Sequence, residues 1–160
     1  MSGRDGFIQR FGAVYEDSPW VAEAVWPAAG ALRTPPAMAA AMAAVVDSAP
    51  RDARLALIQA HPQLASRARM ADASVREQSG AGLDQCTADE FAAFQRLNAA
   101  YNARFGFPFI IAVKGLGRVD ILAAFEARLA NDPDAEFAEA IRQIHRIAAF
   151  RLADLFEDAR

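Results

Sequence analysis

The stretch TADEFAAFQRLNAAYNARFG, residues 87–106, contains the start, the body and the end of one helix. Thr87 and Glu90 have the Thr-x-x-Glu spacing of a capping box, which satisfies backbone N–H groups at a helix start. Apolar side chains then recur three or four residues apart, at positions 91, 94, 97, 101 and 105. Gly106 is a natural stop, because glycine tolerates the left-handed conformation that ends many helices. The stretch therefore predicts one complete amphipathic helix.

Outside this stretch, apolar spacing and proline or glycine punctuation predict further helices. They are expected over residues 5–15, over 37–46, 51–60 and 119–129, and from Asp132-Pro133 to about Phe156. Another is expected through Trp26, with Ser18 as its N-cap and Pro19 as its first helical position. The segment PFIIAV, residues 108–113, is β-like in composition, but one strand makes no sheet, so we expect an extended buried segment. The predicted fold is all-α, a compact single-domain bundle of about seven to eight helices spanning residues 1–160.

The composition excludes several classes of protein. The net charge is -3 and no dense Lys/Arg cluster is present, which argues against nucleic-acid binding. One cysteine allows no intrachain disulfide, and with only two histidines we expect no metal site. The first residues lack the apolar core of a signal peptide. The sequence also contains no run of about 18 apolar residues, the length needed to span a membrane. We therefore expect a cytoplasmic protein that does not bind membranes.

The last predicted helix places an arginine on its apolar side. At about 100° per residue, with Phe137 at zero, Arg151 falls at about -40°, inside a stripe formed by positions 137, 141, 144, 148, 152 and 155. Arg142 and Arg146 fall on the opposite side. An arginine that faces the core needs an anionic partner. One interpretation is structural: Arg151 pairs with a buried Asp or Glu, or its side chain extends to solvent at the edge of the stripe. The other is that the partner is the carboxylate of a substrate, which a guanidinium can hold with two parallel bonds.

The stretch HPQLASRARMADASVREQSGAGL, residues 61–83, combines helix punctuation with candidate chemistry. His61 precedes a proline, which disfavours helical geometry at His61. Ser74, Glu77 and Gln78 have i, i+3, i+4 spacing, so one helical face can present all three. Ser-x-x-Glu is also a capping box, which is the purely structural interpretation. The second histidine, His145, lies on the flank of the last helix's apolar stripe, where an edge residue is expected.

Several stretches together resemble the OHCU decarboxylase family, and the resemblance covers nearly the whole chain. They are FIQRFGAVYEDSPWVAEAVW, HPQLA, SVREQSGAGL, the run from Phe91 to Gly115, and RIAAFRLADL. Members of this family decarboxylate 2-oxo-4-hydroxy-4-carboxy-5-ureidoimidazoline, the last intermediate from urate to (S)-allantoin. The resemblance implies an all-helical, commonly dimeric enzyme that needs no cofactor. It also implies uricase and hydroxyisourate hydrolase as pathway neighbours.

The resemblance also implies roles for individual residues. His61 matches the central catalytic histidine, with Glu77 as the residue that orients it. The residues expected to contact the substrate are Pro62, Ser74, Gln78, Arg151 and the segment Phe109, Ile110 and Ile111, which would offer backbone amides near the substrate ring. Gln63 departs from the family pattern, where an Asp is usual after His-Pro, and this puts only fine positioning in doubt.

Two other classes of function stay open at this stage. One is a non-catalytic helical protein that binds a ureide without turning it over. The other is a decarboxylase or isomerase of a related cyclic ureide on the same scaffold. The intact set His61, Glu77, Gln78 and Arg151 favours the enzyme over the binding protein, and a panel of substrates would separate the two enzymes.

Overall fold

The computed structural model describes residues 3–65 and 72–158 of the chain, with the backbone alone at residues 72–74. Within these ranges the protein has eight α-helices and no strand, which confirms the all-α prediction. The helices are α1 Gly3–Phe11, α2 Trp20–Val25, α3 Pro35–Asp47, α4 Arg51–Ala60, α5 Asp72–Gly80, α6 Ala88–Phe105, α7 Arg118–Arg128 and α8 Pro133–Asp158. Two 3-10 helices, Trp26–Ala31 and Leu83–Gln85, follow α2 and α5.

The chain divides into two compact units, and the division falls inside α8. The first unit comprises Met1–Ala60 and Ile144–Arg160, and the second comprises His61–Gln143. The prediction that residues 1–160 form one domain stays a prediction.

In the first unit, aromatic rings contact one another around α1. Phe7 lies 4.8 Å from Phe11 and 5.3 Å from Trp26, and Phe11 lies 5.8 Å from Phe156, all between ring centroids. Buried aliphatic side chains extend this core along the next helices, at Val21, Ala22, Val25, Met38, Met42, Val46, Leu57 and Ile58. Apolar burial thus stabilises helices that are too short to be stable alone.

The predicted start of α2 was wrong by one residue. Pro19 occupies the N-cap position and makes no side-chain cap hydrogen bond, and the helix begins at Trp20. The Ser18 hydroxyl, expected to cap the helix, instead donates to the carbonyl oxygen of Glu16 at 2.8 Å. Asp17 between them has φ +47°. The serine therefore closes the tight turn before the helix, and its oxygen is used there.

In the second unit, α6 has the start and the end that its sequence predicts. The Thr87 hydroxyl accepts from the Glu90 N–H at 3.1 Å, and the Glu90 carboxylate accepts from the Thr87 N–H at 2.9 Å. Gly106 follows the helix with φ +77° in the left-handed region. The apolar face of α6 buries Phe94, Leu97 and Tyr101 almost completely.

The residues after Gly106 form the extended buried segment that the sequence predicts. Phe107 to Val113 are buried apart from Ile111, which is half-buried, and no strand is formed there. The Phe109 ring stacks on Phe125 of α7 with centroids 3.9 Å apart and planes 9° apart. This stack attaches the segment to α7.

The apolar stripe predicted for α8 is confirmed. Five of its six members, Phe137, Ile141, Ile144, Ala148 and Leu152, are buried, and Leu155 near the end of the helix is half-buried. Arg151 is buried as well, whereas Arg142 and Arg146 are exposed. Helical periodicity therefore predicted correctly which of the three arginines is buried and which two are exposed.

Candidate functional site

The candidate catalytic histidine opens a short loop, residues 61–65, which follows α4. His61 is 7% exposed, Pro62 and Gln63 are half-buried, and Leu64 and Ala65 are buried. Ala65 has φ +53°, a left-handed conformation that is unfavourable for a residue with a Cβ atom. A buried loop with a strained residue needs hydrogen-bond partners from elsewhere in the fold.

Side-chain amides from α5 and α6 supply those partners. The Gln78 carbonyl oxygen accepts from the Ala65 N–H at 3.0 Å, and its NH₂ group donates to the Gln63 carbonyl at 3.4 Å. The Asn98 NH₂ group donates to the Leu64 carbonyl at 3.0 Å, and that of Gln95 donates to the Ala65 carbonyl at 3.4 Å. The structure thus places Gln78 against the loop that carries His61.

Helix α5 carries the three residues expected at the site, but the capping-box interpretation of Ser74 was wrong. Ser74 lies inside α5, which begins at Asp72. Its side chain is outside the described residues. Glu77 is half-buried and Gln78 is buried, so the helix turns this side toward the interior, while Val75 is exposed. The catalytic role of Glu77 and the binding roles of Ser74 and Gln78 stay predictions.

The segment expected to offer backbone amides is held at two points. The Arg128 guanidinium donates to the Ile110 carbonyl at 2.6 Å, and the Gln143 side-chain oxygen accepts from the Ala112 N–H at 2.9 Å. Arg128 also lies over the Phe109 ring, 4.3 Å from its centroid. Phe109 and Ile110 are buried, and Ile111 is half-buried. This backbone has a defined course, while its contact with a substrate stays a prediction.

A buried carboxylate holds Arg128 in place. Glu136 is fully buried and accepts from Tyr101 at 2.6 Å, from Asn131 at 3.0 Å and from Arg128 Nε at 2.8 Å. Arg128 Nη2 lies 2.7 Å from the same carboxylate oxygen as part of the ion pair. Burial favours the neutral acid, but the hydrogen bonds from Arg128, Tyr101 and Asn131 outweigh it and lower the pKa of Glu136. Burial, and then the Glu136 carboxylate, raise the pKa of Tyr101, so the phenol keeps its proton and donates it.

In the first unit, Arg151 has the buried carboxylate partner that was one of its two interpretations. It is 8% exposed, its Nη2 lies 3.2 Å from the Glu16 carboxylate, and its Nη1 donates to the Val14 carbonyl at 3.2 Å. A guanidinium has five N–H donors. The pair therefore explains the burial of Arg151 without excluding substrate binding, which stays a prediction.

The second histidine belongs to a hydrogen-bonded chain in the first unit. Tyr15 lies 2.8 Å from His145 Nδ1, and Asp47 lies 2.9 Å from His145 Nε2. Burial and the nearby Asp47 charge raise the pKa of Tyr15, so its hydroxyl remains a donor. With Nδ1 accepting from the Tyr15 hydroxyl, Nε2 is the ring nitrogen that faces the Asp47 carboxylate. His145 is half-buried, as the sequence predicted for an edge residue.

The chain's one cysteine, Cys86, directly follows the 3-10 helix Leu83–Gln85. The Cys86 thiol contacts the Leu83 carbonyl at 3.4 Å, and burial followed by the charge of Glu90 raises its pKa, which disfavours the nucleophilic thiolate. No group of three or more His, Cys, Asp or Glu side chains that could hold a metal was found in this part of the chain. Within the same residues, no helix has the length and the apolar character that a membrane span requires.

Sequence reasoning missed five residues that hold the loop and the segment: Gln95, Asn98, Arg128, Glu136 and Gln143. One of them had a readable signal. With Phe94 at zero, Asn98 falls at about 40°, inside the apolar stripe of α6. It is the same kind of exception that identified Arg151. Glu136 and Gln143 fall about 100° or more from Phe137 and would be expected to face solvent.

The described helices form the all-α fold that the resemblance to a family of helical decarboxylases implied. The profile described as OHCU decarboxylase matches residues 2–153. The chain belongs to the OHCU decarboxylase family.

Relatives with that activity in their names match most of the chain. A 2-oxo-4-hydroxy-4-carboxy-5-ureidoimidazoline decarboxylase of Haloferax volcanii is 41% identical over 152 residues, which is 95% of this chain and 90% of the relative. The same-named protein of Halalkalicoccus jeotgali is 39% identical, over 97% of this chain and 88% of the relative.

Solved structures share the fold. A crystal structure of (S)-allantoin synthase superposes with a TM-score of 0.79 at 33% identity, over 96% of this chain and 51% of the other. A crystal structure of OHCU decarboxylase in the presence of (S)-allantoin gives a TM-score of 0.67 at 26% identity, over 78% of this chain and 83% of the other.

Proposed function

We propose that this chain decarboxylates 2-oxo-4-hydroxy-4-carboxy-5-ureidoimidazoline to (S)-allantoin in the degradation of urate. The observation that carries the proposal is the match to the OHCU decarboxylase family over residues 2–153. It is supported by relatives of that name that are 41% and 39% identical over almost the whole chain.

The reaction needs no cofactor, because the substrate can take up its own electrons. When CO₂ leaves, the electron pair of the broken carbon–carbon bond passes over the C=N bond of the ring to its nitrogen, which takes up a proton. The hydroxyl on the same carbon loses its proton as that carbon becomes a carbonyl. A proton is then added to the neighbouring ring carbon, and addition to one face gives the S product. The protein has to bind the ring, move protons and stabilise the charge that develops on the ring.

His61 is the group that moves the hydroxyl proton, and Glu77 orients its ring. An imidazole suits this task because its ordinary pKa, about 6.5, is close to working pH. Proton transfer by a positioned side chain contributes roughly 10²–10⁴-fold in rate. The burial of His61 and the fixed course of its loop support this assignment, since a general base must be held within hydrogen-bond reach of its proton.

The other predicted residues bind the substrate. Arg151 anchors an anionic or carbonyl group, and Ser74, Gln78 and the His61–Pro62 pair line the ring. An amide such as that of Gln78 both donates and accepts, which suits a ureide. The backbone N–H groups of the segment Phe109 to Ile111 are the donors for the charge that develops on the ring.

We further propose a cytoplasmic homodimer that acts after uricase and hydroxyisourate hydrolase and does not bind nucleic acid. The family resemblance and the charge of -3 support these statements. Light scattering after gel filtration tests the dimer, because one subunit has a mass of 17.2 kDa.

Circular dichroism tests the reaction most directly. The substrate is generated in solution from urate by uricase and hydroxyisourate hydrolase, and it decays by itself to racemic allantoin. With this protein present, we expect rapid growth of an (S)-allantoin signal. His61→Asn should abolish that growth while leaving the far-ultraviolet spectrum unchanged.

The chain supplies a matched control in its other histidine. His145→Asn makes the same change outside the proposed site, and should leave turnover per folded molecule near that of the unsubstituted chain. Near-normal turnover in His61→Asn would reject its catalytic role. A drift to racemate with the folded, unsubstituted chain would reject the decarboxylase, and calorimetry with ureides would then test the binding protein.

A further inference from the structure

We propose that Asn98 is a positioning residue, which keeps one peptide group of the His61 loop in the orientation that turnover requires. The proposal rests on the proposed function. Asn98 lies in α6, and its amide acts on the loop backbone at Leu64. It therefore acts through the loop, without touching the reacting atoms.

The peptide group between Leu64 and Ala65 is held at both ends. Its carbonyl oxygen accepts from Asn98 at 3.0 Å, and its N–H donates to Gln78 at 3.0 Å. In a trans peptide these two groups point in opposite directions. One amide from α6 and one from α5 thus fix the plane of this peptide group from its two sides.

The two hydrogen bonds oppose a change that the backbone would otherwise favour. Ala65 has φ +53°, and the left-handed conformation is unfavourable for an L-residue with a Cβ atom. Rotation of the Leu64–Ala65 peptide group would change ψ of Leu64 and φ of Ala65 together and relieve the strain. It would also turn the carbonyl away from Asn98 and the N–H away from Gln78. Asn98 therefore resists a peptide flip three residues from His61.

Asn98 is poorly explained as a packing residue. It is 3% exposed in the apolar stripe of α6, where Phe94, Leu97 and Tyr101 are its neighbours. Its side-chain oxygen has no hydrogen-bond partner among the described residues, an arrangement that is usually unfavourable in a protein interior. An apolar residue would suit the stripe better. The NH₂ group is thus the part of the side chain that the structure uses.

Asn98→Leu is the main test. It removes a side-chain oxygen that has no partner among the described residues, and it takes the Asn98 donor from the Leu64 carbonyl, so we expect little change in Tm. Misplacement by about 1 Å can lower a rate about 10²-fold, so we expect kcat to fall by roughly 10- to 100-fold with KM almost unchanged. Asn102→Leu is the matched control, because Asn102 lies one turn further along α6 and, among the described residues, donates to the Asn98 backbone carbonyl at 2.8 Å and not to the loop. It should leave kcat unchanged.

Asn98→Asp gives a readout that a packing role would not move. An ionised carboxylate cannot donate to the Leu64 carbonyl, but a protonated carboxylic acid can. The kcat of this variant, divided by that of the unsubstituted chain at each pH, should rise as the pH falls. A flat ratio, or an Asn98→Leu variant with normal kcat per folded molecule, would overturn the proposal.

A substrate-free measurement separates this proposal from the proposed function. The chain has two histidines, so nitrogen-15 NMR of the imidazoles gives two sets of signals, which His145→Asn assigns. Asn98→Leu should shift or broaden the His61 signals and leave those of His145 in place, whatever reaction the protein catalyses. Unchanged His61 signals would overturn the positioning role. If the unsubstituted chain formed no (S)-allantoin, only the proposed function would be overturned.

Discussion

Replacing the buried carboxylate of Glu136 should strongly destabilise the second unit. Glu136→Gln preserves the size of the side chain and removes its charge. Arg128, whose side chain is 11% exposed, would then be left without its carboxylate partner. Breaking a buried ion pair by changing one partner costs about 3–5 kcal/mol. For a chain of this length, roughly 2–4 °C are lost per kcal/mol, so we expect Tm to fall by about 10 °C at neutral pH.

An exposed pair provides the control for this substitution. Glu126→Gln makes the same change where the side chains of Arg96 and Glu126 are 66% and 62% exposed and 3.8 Å apart. Such pairs contribute about 0–1 kcal/mol, so its Tm should hardly change. Urea unfolding at pH 7 measures both variants. A loss below about 1 kcal/mol for Glu136→Gln would refute the reasoning, because it would mean that Arg128 does not depend on this charge.

The pH dependence has a definite sign. The folded protein lowers the pKa of Glu136 below its ordinary value of 4.5. The stability that the ionised carboxylate contributes is therefore fully present above pH 4.5, and is lost as the pH falls through the lower, folded pKa. The difference in unfolding free energy between the unsubstituted chain and Glu136→Gln should be constant near neutrality and shrink below pH 4.5. A difference that grew on acidification would contradict the assigned direction.

Two further predictions concern the first unit. Arg151→Ala should lower the free energy of unfolding by about 3 kcal/mol, because it removes the guanidinium that pairs with the buried Glu16 carboxylate. The exposed Arg146→Ala should change that free energy little, and urea unfolding measures both variants. A lower kcat/KM in the folded Arg151→Ala variant would support the proposed role of Arg151 in substrate binding. Tyr15→Phe should cost about 1 kcal/mol, because it removes the hydrogen bond to His145, and unchanged stability would show that this bond contributes nothing.

Much of the fold could be predicted because most signals in this sequence are local. Thr87 and Gly106 bound α6 through contacts within one turn of each helix end, and the structure shows both. The stripe on α8 needed only a helix period and the assumption of one apolar side. That assumption also identified Arg151 as buried, although the sequence could not choose between a carboxylate of the protein and one of a substrate.

The errors arise where a polar group has a competing partner. Ser18 had the right type and place for an N-cap, but its hydroxyl bonds to Glu16 because the chain turns there. Glu136 lies in the first turn of α8, where an acidic residue is ordinarily solvated and favourable to the helix dipole. Its burial comes from Tyr101, Arg128 and Asn131, which belong to other helices or to the turn before α8. Periodicity within one helix contains no information on such partners.

Two stretches of backbone at the proposed site are held by different chemistry, and this has a consequence for kinetics. The His61 loop is held by neutral amides, which do not titrate. The segment at Ile110 is held by Arg128, whose carboxylate partner has a lowered pKa and so stays ionised near neutrality. Neither support changes its charge between about pH 5 and 8, the range in which an imidazole titrates. A pH–rate profile in that range therefore tests the proposed role of His61 and does not report on a change of charge in these two supports.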